Sequence, residues 1–221
     1  MNSRITGTID FHAHLLTDEY RKAVARLGID PIEEEGFPLP AWTAEDHLAF
    51  MDAADIELAV LTAPPPHLHN GNDALAREAA RLVNESAAGI CAEHPDRFAF
   101  AASLPLPCVD GAMEEARYAM DTLGAVGVRL ATNSNGIYLG DPTLEPLMEE
   151  LNHRRALAII HPCRARLRPG NVITGTVAAI YEYPADTTRA VLNMMANRVM
   201  TRYPDIRFVI PHVGSFLPYM L

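Results

Sequence analysis

Short apolar runs alternate along this chain with longer stretches whose apolar residues recur three and four positions apart. The runs Gly7–His12, Leu58–Ala63, Phe98–Leu104, Gly127–Ala131, Leu157–His161 and Arg207–His212 read as strands. The stretches between them read as helices. Thr43 can cap a helix reaching about Ile56, with Asp46 at the capping-box position. The longest helix runs from near Asn72 to Glu93, and Asp110 opens another that ends before Gly124. Asp141-Pro142 has the form of an N-cap followed by the first helical residue. Asp186 opens the last helix, and Pro204 follows its end. Strand and helix in strict alternation predict right-handed crossovers and a parallel sheet. The fold class is therefore α/β. Polar residues gather at the C-terminal ends of the strands, as in a TIM barrel, so a TIM-barrel-like (β/α) fold is expected, incomplete, with about six of the eight strand–helix units.

Two stretches interrupt the rhythm, near residues 28–42 and 164–184. Gly28–Ala41 holds three prolines and the acidic run Glu33 to Glu35. Arg164–Pro184 contains Arg164, Arg166, Arg168, Gly170 and Gly175. Both read as long loops on the active-site side of a single domain spanning residues 1–221. No G-x-G-x-x-G follows the first strand and no phosphate-binding G-x-x-x-x-G-K-[ST] occurs, so the common nucleotide-binding arrangements are not indicated.

Composition narrows the partners. With 49% hydrophobic residues the chain can build a sizeable core, and a net charge of −10 argues against nucleic acid or an anionic membrane as partner. A small anionic substrate held by local arginines stays compatible. Three cysteines without a C-x-x-C point to a reduced, cytoplasmic protein. No secretory leader is read at the N-terminus, and no apolar run approaches the roughly 18 residues of a membrane span. An open barrel would expose sheet edge, so a homo-oligomer is expected.

The segment Thr8-Ile9-Asp10-Phe11-His12-Ala13-His14 carries the first chemistry. Strict alternation would put Asp10, His12 and His14 on one face and Ile9, Phe11 and Ala13 on the other. Paired imidazoles facing a strand interior call for a metal ion or firm hydrogen bonds. His161 and His212 end two further apolar runs, so four histidines from three strand ends converge on one barrel mouth. His67 and His69, after Pro64-Pro65-Pro66, sit in an extended, exposed loop and are candidates to line a substrate, with plain surface histidines as the alternative. Arg129 can clamp a substrate carboxylate through its planar fork or make an ordinary ion pair. Trp42 either lines the pocket or packs under the first insertion. His47, His94 and His153 read as solvated, and Met194, Met195 and Met200 as core filler.

Ile9–His14, Ile160-His161-Pro162 and the stretch from Tyr203-Pro204-Asp205 through Pro211-His212-Val213-Gly214 to Tyr219 together resemble the amidohydrolase superfamily. They look most like the branch of aminocarboxymuconate-semialdehyde decarboxylase and related aromatic-acid decarboxylases. The resemblance implies that His12, His14 and His161 bind one divalent metal, zinc foremost with manganese as the other candidate. It implies that His212 sits beside the metal and handles protons. The implied activity is non-oxidative decarboxylation of an aromatic or unsaturated carboxylic acid. Hydrolysis of an amide or lactone, or a non-catalytic remnant with an assembly surface, are the alternatives. The family's aspartate after strand eight has no counterpart in these residues. Binuclear members bridge two metals with a lysine on strand four; Lys22 is the only lysine here and strand four offers Arg129, so a mononuclear site follows.

Overall fold

In a computed structural model, residues 7–165 and 177–220 are described. In chain order the elements are β1 (Thr8–His14), α1 (Asp18–Arg26), α2 (Pro31–Glu35), α3 (Ala44–Ala53), β2 (Ile56–Thr62), α4 (Asp73–Glu93), β3 (Phe98–Ser103) and α5 (Val109–Asp121). There follow β4 (Gly127–Ala131), the short hairpin β5 (Asn133–Ser134) and β6 (Ile137–Tyr138), α6 (Glu145–His153), β7 (Leu157–His161), α7 (Ala178–Ala196), α8 (Val199–Arg202) and β8 (Arg207–Val209). Six strands form one parallel sheet in the order β1-β2-β3-β4-β7-β8, as the alternation predicts.

The sheet curls as an open portion of a (β/α) barrel. Five strand spacings on a flat sheet would separate β1 from β8 by about 24 Å. Yet the His12 ring on β1 lies 4.6 Å from the His212 ring just beyond β8. Only strong curvature brings those two edges together.

Each sheet face has its own cluster. Ala59, Leu61, Phe98, Phe100, Ala102, Val128, Leu130, Ala158 and Ile160 pack with helix residues such as Ala87, Ala116, Leu147 and Leu151. Burying each large side chain of this layer contributes about 1.5–3 kcal/mol. Val60, Ala101 and Ile159 pack with Ile9, Phe11, Ala99, Leu157 and Val209, all from strands. That second, helix-free cluster is the concave face.

Capping matches the sequence where polar starts are clear. The side chains of Thr43 and Asn72 accept from the N–H groups of Asp46 and Leu75, and Asp141 accepts from Thr143 N–H. Helix α1 is also capped, through Thr17 to Tyr20 N–H, and buries Tyr20, Ala23 and Val24 against α4.

Several expectations are corrected. α3 stops at Ala53 because Ile56 already begins β2. α7 begins at Ala178, not Asp186, and carries Pro184 in its interior, so residues 178–184 are helical rather than loop. β8 ends at Val209, and His212 lies beyond it in a turn with φ of 56°. In β1 the register shifts: Asp10 faces Ala59 and Ala13 faces Leu61, so three steps on β1 match two on β2. This bulge resets the alternation. Ile9 and Phe11 join the concave cluster while Ala13 joins the helix-side one. The expected division of β1 into one polar and one apolar face therefore fails. Arg166, Arg168, Gly170 and Gly175 lie outside the described residues.

Candidate metal centre

β1 and β7 bring three imidazoles together. His12, His14 and His161 each present a ring nitrogen, and these atoms all lie within 4.8 Å of one another. Ring centroids are 5.0 Å apart for His12–His14, 5.1 Å for His12–His161 and 4.9 Å for His14–His161. Among the described residues this donor cluster contains imidazoles and no carboxylate.

Neighbours set the tautomers of two rings. The Pro162 carbonyl can only accept, and it lies 2.7 Å from His161 Nδ1, so that nitrogen carries the proton and Nε2 keeps its lone pair. Thr62 donates its hydroxyl to Ala13 O at 3.1 Å, which leaves Oγ1 to accept from His14 Nδ1 at 3.3 Å. Both rings are thereby held as metal-binding imidazoles hold their outer nitrogen.

All three rings resist protonation. Burial is the largest cause for each, and the Arg129 guanidinium adds to it. His14 is pushed down to about 3, and His161 falls well below its ordinary value. Neutral imidazole is the form that coordinates a cation. The donor chemistry, the tautomers and the spacing all fit one divalent ion. Three histidine ligands with an open position is also a known catalytic zinc arrangement.

His212 stands beside this triangle, 4.6 Å from His12 and 5.9 Å from His161 between ring centroids, and is lowered by burial of its ring. Arg129, 6% exposed, pairs in register with the concave residue Ile159 and so shares the concave face. Its charge reaches His12, His14, His67 and His161.

The second histidine pair is more enclosed than the prolines suggest. Pro64, Pro66, Leu68 and His69 are buried and His67 is partly so. This corrects the expected exposed loop. His67 Nε2 donates to Leu106 O at 2.7 Å. His69 Nε2 meets Asp73 at 3.0 Å, and its Nδ1 accepts from Gly71 N–H and Asn135 Nδ2, each at 3.0 Å. Both histidines line a cavity of about 680 Å³, with Asn133, Asn135, Cys163, Arg164, Asp30 and Glu33. Arg164 donates to the Glu33 carbonyl, joining the first insertion to the loop after β7.

Trp42 is not brought to the site. It packs with the helix-side clusters, and its indole N–H donates to His47 Nδ1 at 3.0 Å. His47 and His94 are part-buried against Phe98 rather than solvated. The sequence reading missed Asp186, a fully buried carboxylate on α7 that gathers Thr132, Asn133, Tyr138 and Arg189. An acidic residue two positions after a proline carried no signal of burial.

Residues 9–220 match the protein family described as Amidohydrolase. The decarboxylase yanB of Aspergillus niger is 36% identical over 222 residues, covering 96% of this chain and 60% of the relative. The 6-methylsalicylic acid decarboxylase of Penicillium expansum is 32% identical, covering 96% and 66%. The chain thus spans about 60–66% of the length of these curated relatives. A crystal structure of an amidohydrolase II superposes with a TM-score of 0.89 at 34% identity, covering 95% of this chain and 68% of that one. A dihydroxybenzoic acid decarboxylase from Polaromonas sp. JS666, solved with manganese and 2-nitroresorcinol, shares the fold at a TM-score of 0.80 and 22% identity, covering 97% and 68%.

Proposed function

The chain belongs to the amidohydrolase family, and on that premise we propose that its histidine site serves non-oxidative decarboxylation of an aromatic or unsaturated carboxylic acid. The observation that carries this reading is the Arg129 guanidinium on the same concave face as three clustered neutral imidazoles. The relatives that are decarboxylases of 6-methylsalicylic acid and γ-resorcylate favour the aromatic class.

His12, His14 and His161 would hold one divalent ion, zinc or manganese, which when bound polarises and orients a substrate oxygen. Arg129 would grip an anionic oxygen of the acid through its fork. His67 and His69 would flank the part of the substrate that enters the neighbouring cavity. His212 would deliver a proton from a ring nitrogen to the carbon bearing the carboxylate. The bond from that carbon to the carboxylate then breaks, its electron pair restores the conjugated system, and carbon dioxide leaves. One proton is consumed per turnover. His212, neutral at rest, would take each proton from solvent, to which its residue is exposed.

The same reading has a homo-oligomer working in the cytoplasm. Free Cys91, Cys108 and Cys163 suit a reducing compartment. No described helix is long and apolar enough to cross a membrane.

The test is carbon dioxide release from 6-methylsalicylate and 2,6-dihydroxybenzoate by protein supplied with zinc or manganese. Release that depends on the added ion supports the reading. Lactone ring opening without carbon dioxide would replace it with hydrolysis. A folded protein with neither turnover nor stoichiometric metal would leave a non-catalytic assembly role.

A further inference from the structure

The buried carboxylate of Asp186 lies outside the chemistry above, yet it is tied to the strand end that carries His161. It is 0% exposed, and both of its oxygens are saturated. Oδ2 accepts from the Thr132 hydroxyl and from Asn133 Nδ2 at 2.9 Å. Oδ1 accepts from the Tyr138 hydroxyl and from Arg189 Nη1 at 2.8 Å. Four donors at one carboxylate fill its lone-pair sites.

Thr132 transmits this anchor to β7. Its backbone N–H donates to His161 O at 3.0 Å, and its Oγ1 accepts from Cys163 N–H at 3.2 Å. Asn133 adds a second clasp, since Cys163 Sγ donates to Asn133 O at 2.9 Å and Asn133 Nδ2 reaches Cys163 Sγ at 3.3 Å. The residue between the clasped positions is Pro162. Its carbonyl is the group that accepts from His161 Nδ1 and leaves Nε2 with its lone pair.

The geometry points to Asp186 as a positioning residue for His161, acting through the Thr132 hydroxyl and the Pro162 carbonyl to fix one imidazole tautomer. A hydrophobic residue could dock α7 on the sheet equally well, and replacing buried charge by packed carbon is often neutral for stability. What it could not do is direct the Thr132 hydroxyl proton, which frees the lone pair that holds Cys163 N–H. The inference rests on the metal-site reading only for its consequence; the tautomer itself is a property of the metal-free chain.

Asp186→Asn keeps the shape and replaces one acceptor by a donating amide. In metal-free protein, imidazole nitrogen chemical shifts should show His161 as the Nδ1–H tautomer in wild type and as a mixture in the variant. Affinity for zinc, read by chelator competition, should fall by about 10- to 100-fold, the range for an outer partner of a ligand. Thr132→Val should reproduce both effects and Thr132→Ser should restore wild-type behaviour. That pair decides the matter if Asp186→Asn does not fold. A purely structural anchor would lower the melting temperature and leave the tautomer untouched. Folded Asp186→Asn or Thr132→Val protein with an unmixed Nδ1–H tautomer and zinc affinity within about twofold of wild type would overturn the inference. If wild type binds no metal, the decarboxylase reading falls, and the metal-free tautomer comparison still decides the role of Asp186.

Discussion

Replacing His67 with glutamine should flatten the acid limb of the protein's stability curve. Glutamine keeps an N–H donor for Leu106 O and removes the titrating ring. In the folded chain burial, then the Arg129 charge, lower His67 from 6.5 to about 3. Unfolding returns it to its ordinary value. Between those two values the unfolded chain binds more protons, so the stabilisation is complete above 6.5 and drains away as pH falls towards 3. At about pH 5 the neutral ring alone costs the folded state about 2 kcal/mol relative to neutral pH. The residue is partly exposed, and screening there trims the effect to about 1–2 kcal/mol. His14, also lowered to about 3, titrates in both proteins and cancels in the comparison. Urea unfolding with chelator present, near pH 7.5 and near pH 5, measures the difference directly. Wild type should lose about 1–2 kcal/mol more than His67→Gln across that interval. Parallel losses in the two proteins would refute the argument that His67 is held neutral by its surroundings.

Three further outcomes follow from the structure. His12→Ala and His161→Ala should abolish retention of a divalent ion by elemental analysis, whereas His212→Ala should keep the ion and lose turnover; equal ion loss in all three would overturn that division of roles. Asn84 donates to Ser103 O at 2.9 Å and to Glu115 at 2.8 Å and accepts from Ser103 N–H at 2.8 Å. Asn84→Ala strands those buried groups and should cost about 2–4 kcal/mol in denaturant midpoint analysis. A Cβ at Gly127 would fall 2.2 Å from Leu157 O, between two paired strands, so Gly127→Ala should cost about 2 kcal/mol or more in thermal unfolding.

The parallel sheet and most of its helices were legible because period-two and period-3.6 patterns are local. β4 and β7 fall at the expected residues, since Gly127 opens one short, mainly aliphatic run and His161 closes another. Helix α1 was not among the expected helices, although its Thr17 cap and its Tyr20, Ala23 and Val24 stripe are local features. The start of α7 was not legible, because Pro184 reads as a helix boundary while tertiary packing carries the helix through it. The clustering of His12, His14 and His161 could be inferred from strand ends alone. Trp42 and Asp186 could not be sorted. An indole suits a pocket or a packing layer equally, and a carboxylate's burial depends on donors from Thr132 just past β4, from β5, β6 and its own helix that only the fold assembles.

The irregular step in β1 has a consequence for changes of chain length. One extra residue between Asp10 and Ala13 lets a single strand supply the greasy floor of the concavity and, just above it, the imidazoles of its rim. Deleting that residue would leave the ladder able to pair and would swing the rings toward the helices. A shortened strand could then fold without clustering its imidazoles, so spacing here is as much a part of the candidate metal centre as the histidines themselves.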